Sequence, residues 1–324
     1  MTCGRHISCT IASFALLLPA WTWAKSEKRG DTRAASALFD RFETVVYSQI
    51  GLVTASGIEG STKHARSLRR PFVLLRAGLD SLGSQTASQI LETADGVFVG
   101  AKDFRPPAGL GGARSQFCYV VIRKKYRHQS LRSYFQHNPI ASVDGAPIWS
   151  WSAMIGEFGE DDRRPSSLYA SQTKEGYLLI SNNIEELQAV AEKLGSPHDE
   201  SGNLAAIRHW RFVRPHDTWG YRRFPDQGFV DRLAHPKMPF LTPGTEALMF
   251  VVDWKKGIFS LRILLRSSDN TESISKLNGS GALPPLIALE PGTWQVSFPV
   301  GGTEEQITDR LHLIFGLLGF AAYT

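Results

Sequence analysis

Hydrophobic and polar positions along this chain follow two alternating periods. Runs rich in β-branched and aromatic residues read as strands: Val97–Phe104, Phe117–Lys125, Pro147–Ile155, Ser167–Ser171, Tyr177–Ser181, Thr218–Phe224, Ala247–Trp254, Gly257–Leu265, Leu286–Leu289 and Trp294–Phe298. Stretches with apolar residues at helical spacing lie between and around them. Ala34–Tyr47, with Leu38, Phe42 and Val45 in phase, reads as a helix capping the core. Gln85–Glu92, Gln129–His137, Gln227–Ala234 and Thr271–Leu277 read as short helices. Ile184–Leu194 places Ile184, Leu187, Val190 and Leu194 on one face, with Gly195 as its stop. A last helix is expected from Thr303, with Ile307, Leu311, Ile314 and Leu318 in phase. Pro71–Leu82 fits either a strand or a helix opened by Pro71.

Turn residues join the strands in pairs. Lys174-Glu175-Gly176, Lys255-Lys256-Gly257 and Glu290-Pro291-Gly292-Thr293 each separate two strand-like runs. Hairpin links favour antiparallel sheets, so the expected class is α+β, with helices packed on one face. Both halves read helix, hairpin, helix, hairpin, helix. They also share a junction: Ser181-Asn182-Asn183-Ile184-Glu185-Glu186 and Val300-Gly301-Gly302-Thr303-Glu304-Glu305 each end a strand and open a helix with two acids near its positive end. That pattern is one of internal duplication, although strand–turn–acidic helix is common in α+β proteins. Pro197–Gly202 reads as the joint between a first lobe, 25–198, and a second, 199–324.

Residues 1–24 stand apart. Arg5 precedes the apolar run Ile11–Leu18, Pro19 ends it, and Thr22-Trp23-Ala24 presents small residues at −3 and −1 before the polar stretch from Lys25. This order is that of a secretory signal peptide. The run is shorter than the roughly 20 residues a spanning helix needs, so no transmembrane segment is expected after cleavage. Export places the protein in the periplasm or outside the cell. The 324-residue chain, 42% hydrophobic and 21% charged, has the make-up of a folded protein, and its formal charge of +5 is only mildly basic. Of three cysteines, Cys3 and Cys9 belong to the leader, leaving Cys118 within Phe117–Ile122 as a buried, unpaired thiol.

Catalytic signatures are sparse. There is no G-x-S-x-G elbow and no H-E-x-x-H helix. Ser171–Lys174 and Ser273–Lys276 match S-x-x-K without the partner K-T-G. The histidines are scattered without metal-ligand spacing, Asp161-Asp162 sits in an Arg- and Gly-rich loop, and Gly109–Gly112 lacks a following Lys-Ser/Thr. No metal and no cofactor is expected. The segment Arg208–Phe224 is the richest in recognition chemistry. Arg208, Arg211, Arg222 and Arg223 alternate with aromatics that include Trp219 and Tyr221. Guanidinium forks bind phosphate or carboxylate, and aromatic rings stack on sugars or on guanidinium groups. These six residues are the candidate ligand-binding set, and an exported location points away from nucleic acid. A strand would also alternate arginine and aromatic residues for packing and solubility alone.

The Asp95-Gly96-Val97 strand start, the Gly176–Asn183 strand end and the Glu-Glu-Leu helix after it resemble uncharacterised exported bacterial proteins of unknown function. That resemblance covers about the middle third and implies no activity. The reading is therefore a non-catalytic exported binding or envelope-interaction protein, its partner an anionic ligand or an envelope protein. The alternatives are an exported hydrolase with an unrecognised site and a structural or assembly partner of another envelope protein.

Overall fold

The computed structural model describes residues 31–49, 75, 78–102, 116–123, 131–135, 137–155, 164–196, 209–216, 218–224, 244–253, 258–266 and 284–299. The leader, the expected helices at 227–234, 271–277 and from 303, and Arg208 lie outside them.

Twelve strands form one antiparallel sheet. They are β1 (Thr44–Gln49), β2 (Ala94–Lys102), β3 (Gln116–Arg123), β4 (Ala141–Val143), β5 (Ala146–Ile155), β6 (Arg164–Gln172), β7 (Leu178–Ser181), β8 (Thr218–Arg223), β9 (Thr245–Asp253), β10 (Ile258–Leu265), β11 (Ile287–Glu290) and β12 (Thr293–Pro299). Their order is β11-β12-β10-β9-β8-β1-β2-β3-β7-β6-β5-β4. Every expected hairpin forms: β6–β7, β9–β10 and β11–β12 all pair antiparallel. The central seam is β1–β8, with Tyr47 opposite Trp219. Four α-helices are present among the described residues: α1 (Thr32–Phe39), α2 (Ser84–Glu92), α3 (Ile184–Gly195) and the single turn α4 (Trp210–Val213). Leu131–Tyr134 is a 3₁₀ turn where a longer helix is expected.

Two expectations need correction. The helices do not share one face. α1, α3 and α4 cover one side, where Leu38, Leu187, Val190, Trp210 and Val213 meet Phe98, Val120, Leu179 and Trp219. On the other side α2, with Leu75 and Leu79, packs on Val97, Val99, Tyr119, Leu168 and Ile180. The cause is that the central strands are apolar on both faces. β9 is buried from Ala247 to Val252 without a break, and such continuous runs belong to sheets covered twice. Nor is the chain two copies of helix–hairpin–helix–hairpin–helix. Among the described residues seven strands precede residue 198 and five follow it, β1 and β8 pair with each other across the middle, and the first stretch adds the hairpin β4–β5. The described residues are mainly sheet, with few helices.

The expected helix Ala34–Tyr47 divides in two. Asp31 caps α1 by accepting from the backbone N–H groups of Arg33 and Ala34 at 3.0 and 3.1 Å. The helix stops at Phe39, and Thr44-Val45-Val46-Tyr47 becomes β1, because β-branched and aromatic side chains fit a pleated, buried surface better than a helix. α3 begins as its sequence indicates: Asn183 Oδ1 accepts from the N–H groups of Glu185 and Glu186, and both acids lie in the first turn.

Glu186 ties this junction to its neighbours. Its carboxylate, only 5% exposed, accepts from Arg41 Nε and Nη2 at 3.1 and 3.2 Å and pairs with Lys102. Burial alone would raise its pKa; the two cations outweigh that and hold it below the ordinary 4.5. In the centre of the sheet Gly220 leaves room for a ring. A Cβ there would lie 2.1 Å from Phe250 Cε1.

Candidate functional site

Strand alternation separates the six expected binding residues. Trp219, Tyr221 and Arg223 project to the α1/α4 side of β8; Arg222 projects to the opposite side with Phe224. Trp219 is completely buried. Its ring lies 5.5 Å from Trp210, 5.9 Å from Phe98, and 6.0 Å from both Phe39 and Tyr47. Tyr221 is half-buried, edge-on to Phe39 at 5.1 Å, and burial raises its pKa. Arg222 is buried, its guanidinium 5.1 Å from the Phe224 ring centre. Arg211 and Arg223 are exposed. The aromatic half of the segment therefore serves the core, and the arginines do not converge.

A different cluster assembles where α4 meets β10, β11 and β12. On this side of the sheet β10 and β12 are polar: Ser260 pairs with Ser297 at 2.8 Å, and Arg262 Nε donates to Gln295 Oε1 at 3.0 Å. The register sets both pairs directly opposite each other. Arg262 is held on two further sides. Its guanidinium lies 3.8 Å from the centre of the Phe212 ring, and Nη1 is 3.4 Å from His209 Nδ1. Among the described residues no carboxylate lies within ion-pair distance of Arg262. Its pKa is lowered, by burial first, with the charge of Glu290 acting in the opposite direction.

His209 completes the frame. Its backbone is left-handed, φ 67° and ψ 22°, a conformation costing a side-chain-bearing residue on the order of 1 kcal/mol. Side-chain contacts hold it there. Nε2 is 3.0 Å from Glu290 Oε1 and 3.2 Å from Thr293 Oγ1, and Thr293 in turn donates to Glu290 Oε1 at 3.3 Å. These partners fit the tautomer with hydrogen on Nε2, leaving the Nδ1 lone pair to accept from Arg262. The set of histidine, threonine and glutamate is not arranged as a nucleophile with its base. Both oxygens approach the same ring nitrogen, and Thr293 is completely buried. What the arrangement does is fix one guanidinium between a ring, an amide and an imidazole.

Arg262 is not among the residues the sequence singled out, although it carries a signal. In Ile258–Leu265 the polar residues Ser260 and Arg262 alternate with Phe259, Leu261 and Ile263, and pairing with Trp294–Phe298 brings Gln295 opposite. A concavity of about 430 Å³ lies elsewhere, between the turns at Asp144 and Lys174–Glu175 and the end of α3 at Ser196. Those four residues are exposed, and the positive φ of Asp144 and Gly145 belongs to a two-residue hairpin turn. Among the described residues no group of three or more histidine, cysteine or acidic side chains could hold a metal, and no helix is long and apolar enough to cross a membrane.

No protein-family profile matches the chain, and no curated protein matches it. Similar solved structures include crystal forms I, III and IV of TP0453, each with a TM-score of 0.40. Identities are 7%, 9% and 7%; the alignments cover 87%, 87% and 85% of this chain and 96%, 97% and 93% of the other. A likeness at that score carries no argument here.

Proposed function

We propose that this chain is an exported, non-catalytic binding protein that takes an anionic group at Arg262. One observation carries the reading. A half-buried guanidinium is fixed on three sides by a ring, an amide and an imidazole, and among the described residues no carboxylate lies within ion-pair distance of it. A pre-positioned fork of this kind favours phosphate, sulfate or carboxylate, because the ordering of its side chain precedes binding. The leader read in residues 1–24 supports an encounter outside the cytoplasm, and the mild positive charge of the chain favours anionic surfaces.

The test is retention on heparin at low salt, with co-sedimentation on phosphatidylglycerol and on phosphatidylcholine vesicles alongside. Arg262→Gln is expected to lose roughly tenfold in affinity for whichever anionic matrix binds, and Arg223→Gln much less, as an exposed arginine contributing only to long-range attraction. Heparin and phosphatidylglycerol separate a sulfated glycan from a lipid headgroup as the source of the anion. Equal retention of wild type and Arg262→Gln overturns the proposal.

A further inference from the structure

The two ends of the sheet are built differently. β11 is guarded: it has four residues, its register slips between Ala288 and Glu290, and prolines at 284, 285 and 291 flank it. Short length, a bulge and proline are the usual protections against edge-to-edge pairing. At the other end β4 is shorter still and covers only Ala146–Ile148 of β5. Beyond Ile148, no described strand pairs with the outer edge of β5, while its inner edge pairs with β6 in unbroken register through Ile155. The stretch left unpaired among the described strands is Trp149-Ser150-Trp151-Ser152-Ala153-Met154-Ile155, without a charge or a proline.

Its hydrogen-bonding phase is defined. Ile148 C=O faces β4, where it accepts from Ile140 N–H at 2.8 Å. Alternation then directs the N–H and C=O groups of Ser150, Ser152 and Met154 outward. Along the same stretch Trp149 and Ala153 are buried, Ser150 and Trp151 are intermediate, and Ser152 and Met154 are exposed, Met154 at 54%.

We infer that this edge pairs with the same edge of a second copy, antiparallel about a two-fold axis through Ser152, extending the sheet across the dimer. Three features of the window fit a copy of itself. Its middle residue, Ser152, directs its backbone outward, so a two-fold there makes Ser152 exchange both bonds with its own counterpart and pairs Ser150 with Met154 on either side. The facing side chains match: Ser152 meets Ser152, as Ser260 already meets Ser297 within this sheet, while Trp151 lies opposite Ala153, large against small. With no charge in the window, like meets like without repulsion. β4 blocks pairing before residue 149 in both copies, which fixes the register. This inference does not depend on the anion site.

The experiment uses the full chain with Cys3→Ser and Cys9→Ser, leaving Cys118 buried. Sedimentation is expected to give twice the chain mass. Ser152→Lys and Ser152→Pro are expected to give a single chain with unchanged circular dichroism. Lysine adds only exposed charge, and proline at that position removes an N–H that β6 does not use. Ser152→Cys is expected to cross-link to its counterpart under mild oxidation, because hydrogen-bonded partners place their Cα atoms about 5.5 Å apart, within disulfide reach. Met154→Cys, whose counterpart would lie roughly 13 Å away, is not. A wild type that stays single up to high concentration, a dimer indifferent to both Ser152 variants, or cross-linking through residue 154 in place of residue 152 each overturns the inference.

Discussion

Replacing Glu186 by glutamine tests how the first turn of α3 is held against α1 and β2. The carboxylate is 5% exposed and meets Arg41 through two bonds of 3.1 and 3.2 Å, with Lys102 on its other side. Removing one member of a fully enclosed pair costs roughly 3–5 kcal/mol. Here Arg41 and Lys102 are 41% and 25% exposed and can turn to water, and glutamine still accepts one bond. The expected loss is therefore about 2 kcal/mol at pH 7, read by urea unfolding. The pH dependence gives a second reading. The folded pKa lies below the ordinary 4.5, so the stabilisation is fully present above that value and fades as pH falls through the depressed folded value. The gap between wild type and Glu186→Gln should close on acidification below about pH 4. A variant within 0.5 kcal/mol (about the scatter of an ordinary surface substitution) at pH 7, or a gap unchanged at low pH, refutes the reasoning.

Three further outcomes are expected. Gly220→Ala should destabilise by about 2 kcal/mol in urea unfolding, because the new Cβ falls 2.1 Å from a ring atom of Phe250 in the middle of the sheet. Adding Phe250→Leu should return part of the loss; a neutral Gly220→Ala would show that the ring does not lie over β8. Cys118 is completely buried, and burial together with the charge of Glu186 raises its pKa, so iodoacetamide should label it slowly in native buffer and rapidly in urea. Equal rates in the two conditions would place it at the surface. On heparin, Arg222→Ala should act through stability rather than binding, since Arg222 is buried against Phe224; lower retention with unchanged unfolding would contradict that placement.

The local structure was largely legible in the sequence. Trp149–Ile155, Thr218–Phe224 and the three hairpins are strands because β-branched and aromatic runs are bounded by glycine, proline and lysine turns, and α3 announces itself through Asn183 and its two acids. The arrangement of layers was less so. A run such as Leu248–Val252 reads as a strand in any environment, and its unbroken burial, which requires cover on both faces, emerges only when the neighbouring elements are placed. Ala34–Tyr47 misled because Leu38, Phe42 and Val45 keep helical spacing across a turn into β1, so periodicity outvoted the β-branched pair Val45-Val46. The binding segment misled for the converse reason. Trp219 and Tyr221 have recognition chemistry, yet tertiary contacts with Phe39, Phe98 and Trp210 draw on that chemistry for the core. Arg262 was hidden because its partners Phe212, His209 and Gln295 lie up to 53 residues away in sequence.

The most direct test of the central claim observes the Arg262 side chain itself. In proton–nitrogen spectra selective for arginine Nε–H groups, the resonance lost in Arg262→Gln identifies it. A sharp, slowly exchanging signal, held by Gln295, is expected to move in step with bound fraction as a heparin oligosaccharide is added. An Arg262 signal that stays in place while other arginines shift at saturation would contradict it.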